Sequence, residues 1–256
     1  MLDGKVAIVT GAGSLNGIGA ATCSALASQG AVVYATDQSG EGCAAVAQAT
    51  GVLHQPVDVT DRSQIDACVA HVETNHGRLD ILVNNAGTTA GAKPFLEVKP
   101  EDWEISHRVN ITGTADFCQA AIPLMMRGGG GAIVNVSSIT GIGANRAFGA
   151  YTTAKHGLIG LTKTIAAEFG PDGIRCTAVC PGFISTDMHE GVNRRIAAEQ
   201  GLSLEDIHAQ RYTTVALRRA GLPEEVASMI AFVCGPGGSY VTGVALPVTG
   251  GVQLGL

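Results

Sequence analysis

The stretch Tyr151-Thr152-Thr153-Ala154-Lys155 sets a phenol and an ammonium four positions apart. Residues at that spacing share one face of a helix. An ammonium held beside a phenol favours the phenolate and lowers its pKa from about 10 towards working pH, as proton exchange with a substrate oxygen requires. Thirteen positions earlier, Ser138 closes the apolar run Ile133-Val134-Asn135-Val136-Ser137. A hydroxyl at a strand end faces the place where parallel sheets take ligands, where it can hold a carbonyl oxygen beside the phenol. Taken singly, each has a plainer reading: the pair as surface neighbours, the serine as a helix cap.

A second set points to a bound phosphate. Thr10-Gly11-Ala12-Gly13-Ser14-Leu15-Asn16-Gly17-Ile18-Gly19 lies between an apolar run and a helical segment. Glycines there let the backbone approach a pyrophosphate, and the helix start offers free N–H groups and partial positive charge. Asp37 follows the second apolar run, about 20 residues on, where an acid accepts hydrogen bonds from ribose hydroxyls and repels a 2′-phosphate. Its neighbour Gln38 adds no positive charge. Asp58-Val59 after the third run and Asn84-Asn85-Ala86-Gly87 after the fourth suit turns that pass close to a flat ligand, or turns alone.

The elements that must hold these groups follow from alternation. Short apolar runs at 5–10, 31–36, 52–57, 79–83, 132–136, 174–179 and 244–248 read as strands. Between them, 17–29, a short segment after 37, 61–76, 100–126, 151–169 and 223–234 read as helices. Unbroken apolar runs suit strands covered on both faces, hence a parallel sheet. The expected fold is α/β: a single-domain, Rossmann-like, doubly wound parallel sheet of about seven strands flanked by helices, over 1–256. Two stretches break the rhythm. A Gly-rich loop spans 139–150, and a polar, partly helical insertion spans 185–222. The insertion has no evident strand to anchor it and is expected to act as a substrate lid. The substrate walls are expected at 88–95, 139–148 and 185–222, mostly small or apolar.

Of the 256 residues, 46% are hydrophobic and 15% charged, and the net charge is −6. That balance speaks against a nucleic-acid partner, which needs a basic stripe. No apolar run is long enough for a membrane span, and 1–5 lead into a strand without a charged leader. The seven cysteines form no CxxC and no zinc-like group with histidine. No metal is expected, and free thiols fit a reducing, cytoplasmic setting.

Together, Gly11/Gly17/Gly19, Asn84-Asn85-Ala86-Gly87, Asn110, Ser138, Tyr151 with Lys155, and Pro181-Gly182 resemble the short-chain dehydrogenase/reductase family, in order and spacing, over nearly the whole chain. The resemblance implies catalysis by Asn110, Ser138, Tyr151 and Lys155, with NAD as cofactor and a small, mainly apolar secondary alcohol or ketone as substrate. Tyr151 would exchange the proton, Lys155 would hold the nicotinamide ribose, and Asn110 would hold a water beside Lys155. Cofactor contacts would fall on Gly11, Asn16, Gly17, Ile18, Gly19, Asp37, Asp58, Val59, Asn85, Ala86, Gly87, Tyr151, Lys155, Pro181, Gly182, Ile184 and Thr186. Five residues separate Gly11 from Gly17, two more than the family's usual spacing, so Ser14-Leu15-Asn16 is expected to bulge outward. The family also implies a homotetramer, with 100–126 and 151–169 at one interface and 241–256 at another. Ile159, Ile165 and Ala166 are candidate packing residues there. One alternative is a 3-oxoacyl-carrier-protein reductase, for which Arg108, Arg127 and Arg175 would supply a basic patch. A non-catalytic dinucleotide sensor would not need all four catalytic groups.

Overall fold

Each apolar run becomes a strand within two residues of its expected place: β1 Val6–Thr10, β2 Val32–Asp37, β3 Leu53–Pro56, β4 Ile81–Asn84, β5 Gly131–Val136, β6 Ile174–Pro181 and β7 Ala245–Val248. The computed structural model describes residues 1–252. All strand pairs are parallel, in the order β3-β2-β1-β4-β5-β6-β7. The order reverses between β1 and β4, which opens a crevice at the carboxyl ends of those strands.

Among the described residues nine α-helices connect the strands: α1 Ile18–Ala27, α2 Gly40–Thr50, α3 Arg62–His76, α4 Pro100–His107, α5 Gly113–Arg127, α6 Gly149–Phe169, α7 Asp187–Gln200, α8 Leu204–Tyr212 and α9 Pro223–Cys234. Strand residues alternate between two cores. Ala7 and Val9 of β1 join Leu26 of α1 and Ile230 of α9 on one face. Val6 and Ile8 join Ile65 of α3, Phe117 of α5 and Ile165 of α6 on the other. Burying each such side chain contributes about 1.5–3 kcal/mol, which holds the strand ends still enough to carry a site.

Three features correct or narrow the reading of the sequence. The helix expected over 100–126 is interrupted by a π turn at Arg108–Thr112, which returns the Gly113 N–H to the Arg108 carbonyl. A Cβ on Gly113 would stand 2.5 Å from the Val59 carbonyl oxygen, so α5 can begin only where it passes close to the loop after β3. Periodicity does not register such a one-residue slip. The insertion at 185–222 is also tied at its base. Ile184 and Gly221 form a parallel bridge, with Ser185 N–H donating to Gly221 O and Gly221 N–H to Phe183 O, both at 2.8 Å. Finally, Ile159, Ile165 and Ala166, named as candidates for an interface or for ordinary sheet-facing burial, are buried within this chain's own core.

No helix among the described residues is long and apolar enough to cross a membrane. Nor do they include a group of three or more His, Cys, Asp or Glu side chains placed to hold a metal ion. All seven cysteines are buried and unpaired.

Candidate active site

The crevice between β1 and β4 continues into a cavity of about 1270 Å³. At its floor, Gly11 has φ +65°, and a Cβ there would stand 2.6 Å from Ala86 Cα. A Cβ on Gly19 would stand 2.5 Å from the Gly11 carbonyl, so Gly19 serves helix–strand packing behind the loop. Gly17 leads into α1 in extended geometry, with no side chain capping the helix. By contrast, Ser39 caps α2 and Asp61 caps α3. The first-turn amides of α1 are thus left for an anion. Leu15 and Asn16 stand in solvent, as a bulge would place them. Ser14 does not: it lines the cavity, and its hydroxyl donates to Asp187 Oδ2 of α7 at 2.7 Å.

Asp37 ends β2, and its carboxylate is fixed by the N–H groups of Gly13 (3.1 Å) and Ser39 (3.0 Å). The turn after β4 is held by side chains rather than by backbone pairing. Thr10 Oγ1 accepts the N–H groups of Asn85 and Ala86, both at 3.0 Å, while Asn85 Nδ2 donates to the Thr10 and Gly11 carbonyls, both at 2.9 Å. The Asn85 side chain therefore braces the glycine loop instead of reaching into the crevice.

Ser138 follows β5, and Tyr151 lies in the first turn of α6. Thr140 directs both its N–H and its hydroxyl at Ser138 Oγ, each at 3.1 Å, leaving the Ser138 proton free to donate. Ser138 stands near enough to the Tyr151 phenol to pull its pKa down. Lys155 is buried, donates to the Val136 carbonyl at 2.9 Å, and sits 5.6 Å from the Tyr151 ring centroid. The expected depression of Tyr151 by Lys155 is not what this geometry produces. Burial pushes the phenol above its ordinary value, against the opposing pull of Ser138. Burial likewise brings Lys155 down to about 8. Desolvation is the largest influence on the phenol, and it raises the pKa because a buried phenolate loses its hydration.

Asn110 lies on the π turn and is fully buried. Its Nδ2 donates to the carbonyls of Ser106 (2.9 Å) and Thr88 (3.0 Å), and its Oδ1 accepts the Thr88 N–H at 3.1 Å. A Cβ on Gly87 would stand 2.9 Å from Asn110 Oδ1 and 3.5 Å from Lys155 Nζ, so glycine keeps these two groups facing each other.

The cavity wall gathers sixteen of the expected positions: Gly11, Gly17, Ile18, Asp37, Asp58, Val59, Asn85, Ala86, Gly87, Ser138, Tyr151, Lys155, Pro181, Gly182, Ile184 and Thr186. Asn16, Gly19 and Asn110 lie outside it. The three expected substrate walls all contribute, through Thr88 and Thr89, through Ile139 to Phe148, and through Met188, His189, Val192 and Arg211. The sequence reading set Thr140 and Phe183 in the wall, but missed the hold of Thr140 on Ser138 and the wall from α4 and the π turn, where Ile105, His107 and Val109 face the cavity. A threonine two residues after Ser138 was the available signal for the first; the second depends on the π turn.

The residues fit a dinucleotide: an uncapped helix start behind a glycine cradle, and a fixed carboxylate at the end of β2. Comparison with known proteins agrees. A family profile described as enoyl-(acyl carrier protein) reductase matches residues 11–253. A 3-oxoacyl-(acyl-carrier-protein) reductase of Thermotoga maritima is 41% identical over 258 residues, covering 99% of each chain. D-threitol dehydrogenase of Mycolicibacterium smegmatis is 35% identical, covering 99% of this chain and 94% of that one. The crystal structure of levodione reductase superposes with a TM-score of 0.92 at 31% identity, covering 98% of both chains.

Proposed function

This chain belongs to the short-chain dehydrogenase/reductase family, and from that premise we propose that it interconverts a small secondary alcohol and its ketone with NAD(H), using Tyr151 as acid/base. One observation carries the reading: Tyr151, Ser138 and Lys155 line the same cavity as the glycine loop and Asp37. When bound, the nicotinamide would supply the hydride chemistry. Ser138, oriented by Thr140, donates a hydrogen bond to the substrate oxygen. Tyr151, held protonated by burial, gives its phenolic proton to that oxygen in reduction and regains one in oxidation. Lys155 holds the ribose, and Asn110, across Gly87, holds a water beside it. Asn85 and Thr10 keep the loop in shape. A cytoplasmic location belongs to the same reading, supported by seven free, buried cysteines.

The test is turnover of a ketone and alcohol panel followed by NADH absorbance. Tyr151→Phe removes the proton and leaves the cofactor cradle, so turnover should fall by at least about 100-fold with NADH affinity unchanged within error. Turnover within a few-fold of wild type sinks the assignment.

A second reading, reduction of a carrier-bound 3-oxoacyl group, is favoured by the Thermotoga relative. The arginines that would serve it are engaged elsewhere. Arg108 pairs with Asp116 at 3.0 Å, Arg127 with Glu73 at 2.6 Å, and Arg175 donates to four backbone carbonyls.

A further inference from the structure

The lid brings a cation into the cavity wall. Arg211, on α8, lines the cavity with Phe183, Met188, His189 and Val192. Its Cζ stands 4.4 Å from the centroid of the Phe183 ring, and its guanidinium donates to Asn193 Oδ1 of α7. His189 stacks near Phe183 at 5.5 Å and shares a 3.3 Å contact with the Tyr212 hydroxyl. Phe183 directly follows Pro181-Gly182, so this charged wall stands where the expected nicotinamide and substrate regions meet.

Among the described residues, Arg211 has no carboxylate partner in ion-pair range. Glu190, whose field reaches it, has its oxygens occupied by His208 at 3.1 Å and Asn193 at 3.4 Å. Arg108, the other arginine of the cavity wall, is neutralised by Asp116. Arg211 alone in that wall keeps planar donors without an acid. A half-buried guanidinium loses hydration that only an anion fully replaces, and its fork matches carboxylate or phosphate oxygens in pairs. Burial also holds His189 down to about 4, with the Arg211 charge adding to the effect, so the imidazole stays neutral and does not compete for the anion.

We propose that Arg211 is the anion-recognising residue of the substrate pocket, so that the alcohol or ketone turned over at Tyr151 carries an oxyanion group. This rests on the redox reading above, and it replaces the mainly apolar substrate expected from the sequence by a small charged one.

Two probe pairs test it, each an anion and its neutral counterpart: 3-oxobutanoate with its methyl ester, and glycerone phosphate with glycerone. For the matching pair, wild type should favour the anion in kcat/KM by at least about 30-fold, in the range of a charge-assisted hydrogen-bonded contact. Arg211→Met should bring that ratio within about 3-fold, and Arg211→Lys should restore part of it. The pair that responds separates carboxylate from phosphate. Equal use of anion and neutral probe, preference for a neutral N-acetylcysteamine thioester, or a ratio unchanged by Arg211→Met overturns the proposal. So does a loss of NADH affinity in Arg211→Met equal for every probe, because the guanidinium then serves the cofactor. Calorimetric binding of pentanoate against pentanamide keeps the two readings apart. Pentanoate binding that Arg211→Met weakens at least about 10-fold, with no turnover of any ketone, would uphold the anion site and sink the redox reading.

Discussion

Lys155 shows how strongly a site residue can work against its own fold. Unfolded, it keeps its proton up to the ordinary 10.5; folded, burial brings it to about 8. Between those values the native chain binds fewer protons than the unfolded one, so this residue's contribution to stability rises with pH across that window. Below pH 8 the buried charge costs about 3 kcal/mol, from about 1.36 kcal/mol per pKa unit. Lys155→Met removes that cost but leaves the Val136 carbonyl without its donor, worth about 1 kcal/mol. The variant should melt higher than wild type at pH 7, with the gap closing by pH 10.5, while turnover is lost. A lower melting point at pH 7 would show that the ammonium is not penalised. Asp37 is expected to carry the cofactor choice. A carboxylate about 4 Å from a phosphate feels roughly 4 kcal/mol of repulsion per charge pair at an effective dielectric near 20. After screening at the crevice mouth about 3 kcal/mol remains, roughly a hundredfold in favour of NADH. Asp37→Ser with Gln38→Arg should shift kcat/KM towards NADPH, since serine still offers Gly13 an acceptor while arginine supplies the missing charge. Equal use of both cofactors by wild type would show that Asp37 does not select.

At the scale of elements, strands and most helices were legible because burial on two faces writes unbroken apolar runs, and helical periods write amphipathic ones. Sixteen of the positions that the family resemblance pointed to line one cavity, because they sit at strand ends and helix starts. The unforeseen parts are set by contacts distant in sequence. The π turn answers the approach of Gly113 to Val59, Tyr151 answers to burial more than to Lys155, and Arg211 reaches the cavity only through the folding of α7 on α8. The 185–222 insertion is held at its base by the Ile184–Gly221 bridge and at its leading edge by Ser14 to Asp187. The lengthened glycine loop thus touches the insertion across the crevice. Between those ties, α7 and α8 expose Arg194, Glu199, Glu205 and Asp206 and rest on few buried side chains. Trypsin should therefore cut within 185–222 first, and cofactor with substrate should slow that cut severalfold. Equal cutting rates with and without ligand would count against a lid.

At the scale of the whole molecule, the surface still holds features that one chain does not explain. Burial of Ile159, Ile165 and Ala166 removes the residues first credited to an interface, yet the opposite face of α6 is exposed and small. Thr153, Gly157, Gly160, Thr164 and Ala167 recur at intervals of three and four, a smooth stripe on which a second helix can pack closely. On α9 and in the segment that leads from it to β7, Phe232 is 52% exposed and Tyr240 fully so, a second set of exposed apolar side chains. Part of the expected terminal interface, 253–256, lies outside the described residues. Two separate faces of this kind on each chain fit the homotetramer that the family resemblance implied, with an expected mass of about 104 kDa from four chains of 26.0 kDa. Gly160 allows a clean test, because an added Cβ there meets nothing of its own chain within 4 Å. Gly160→Arg should leave the protomer's fold intact, and a gain in helix propensity of up to about 1 kcal/mol should offset any lost assembly stability. A guanidinium on that stripe would hold two copies apart. In light scattering at micromolar concentration, wild type should weigh as a tetramer and Gly160→Arg as half that, joined only through the second face. A wild-type mass near 26.0 kDa would refute the assembly, and a variant that stays tetrameric would move the interface off α6.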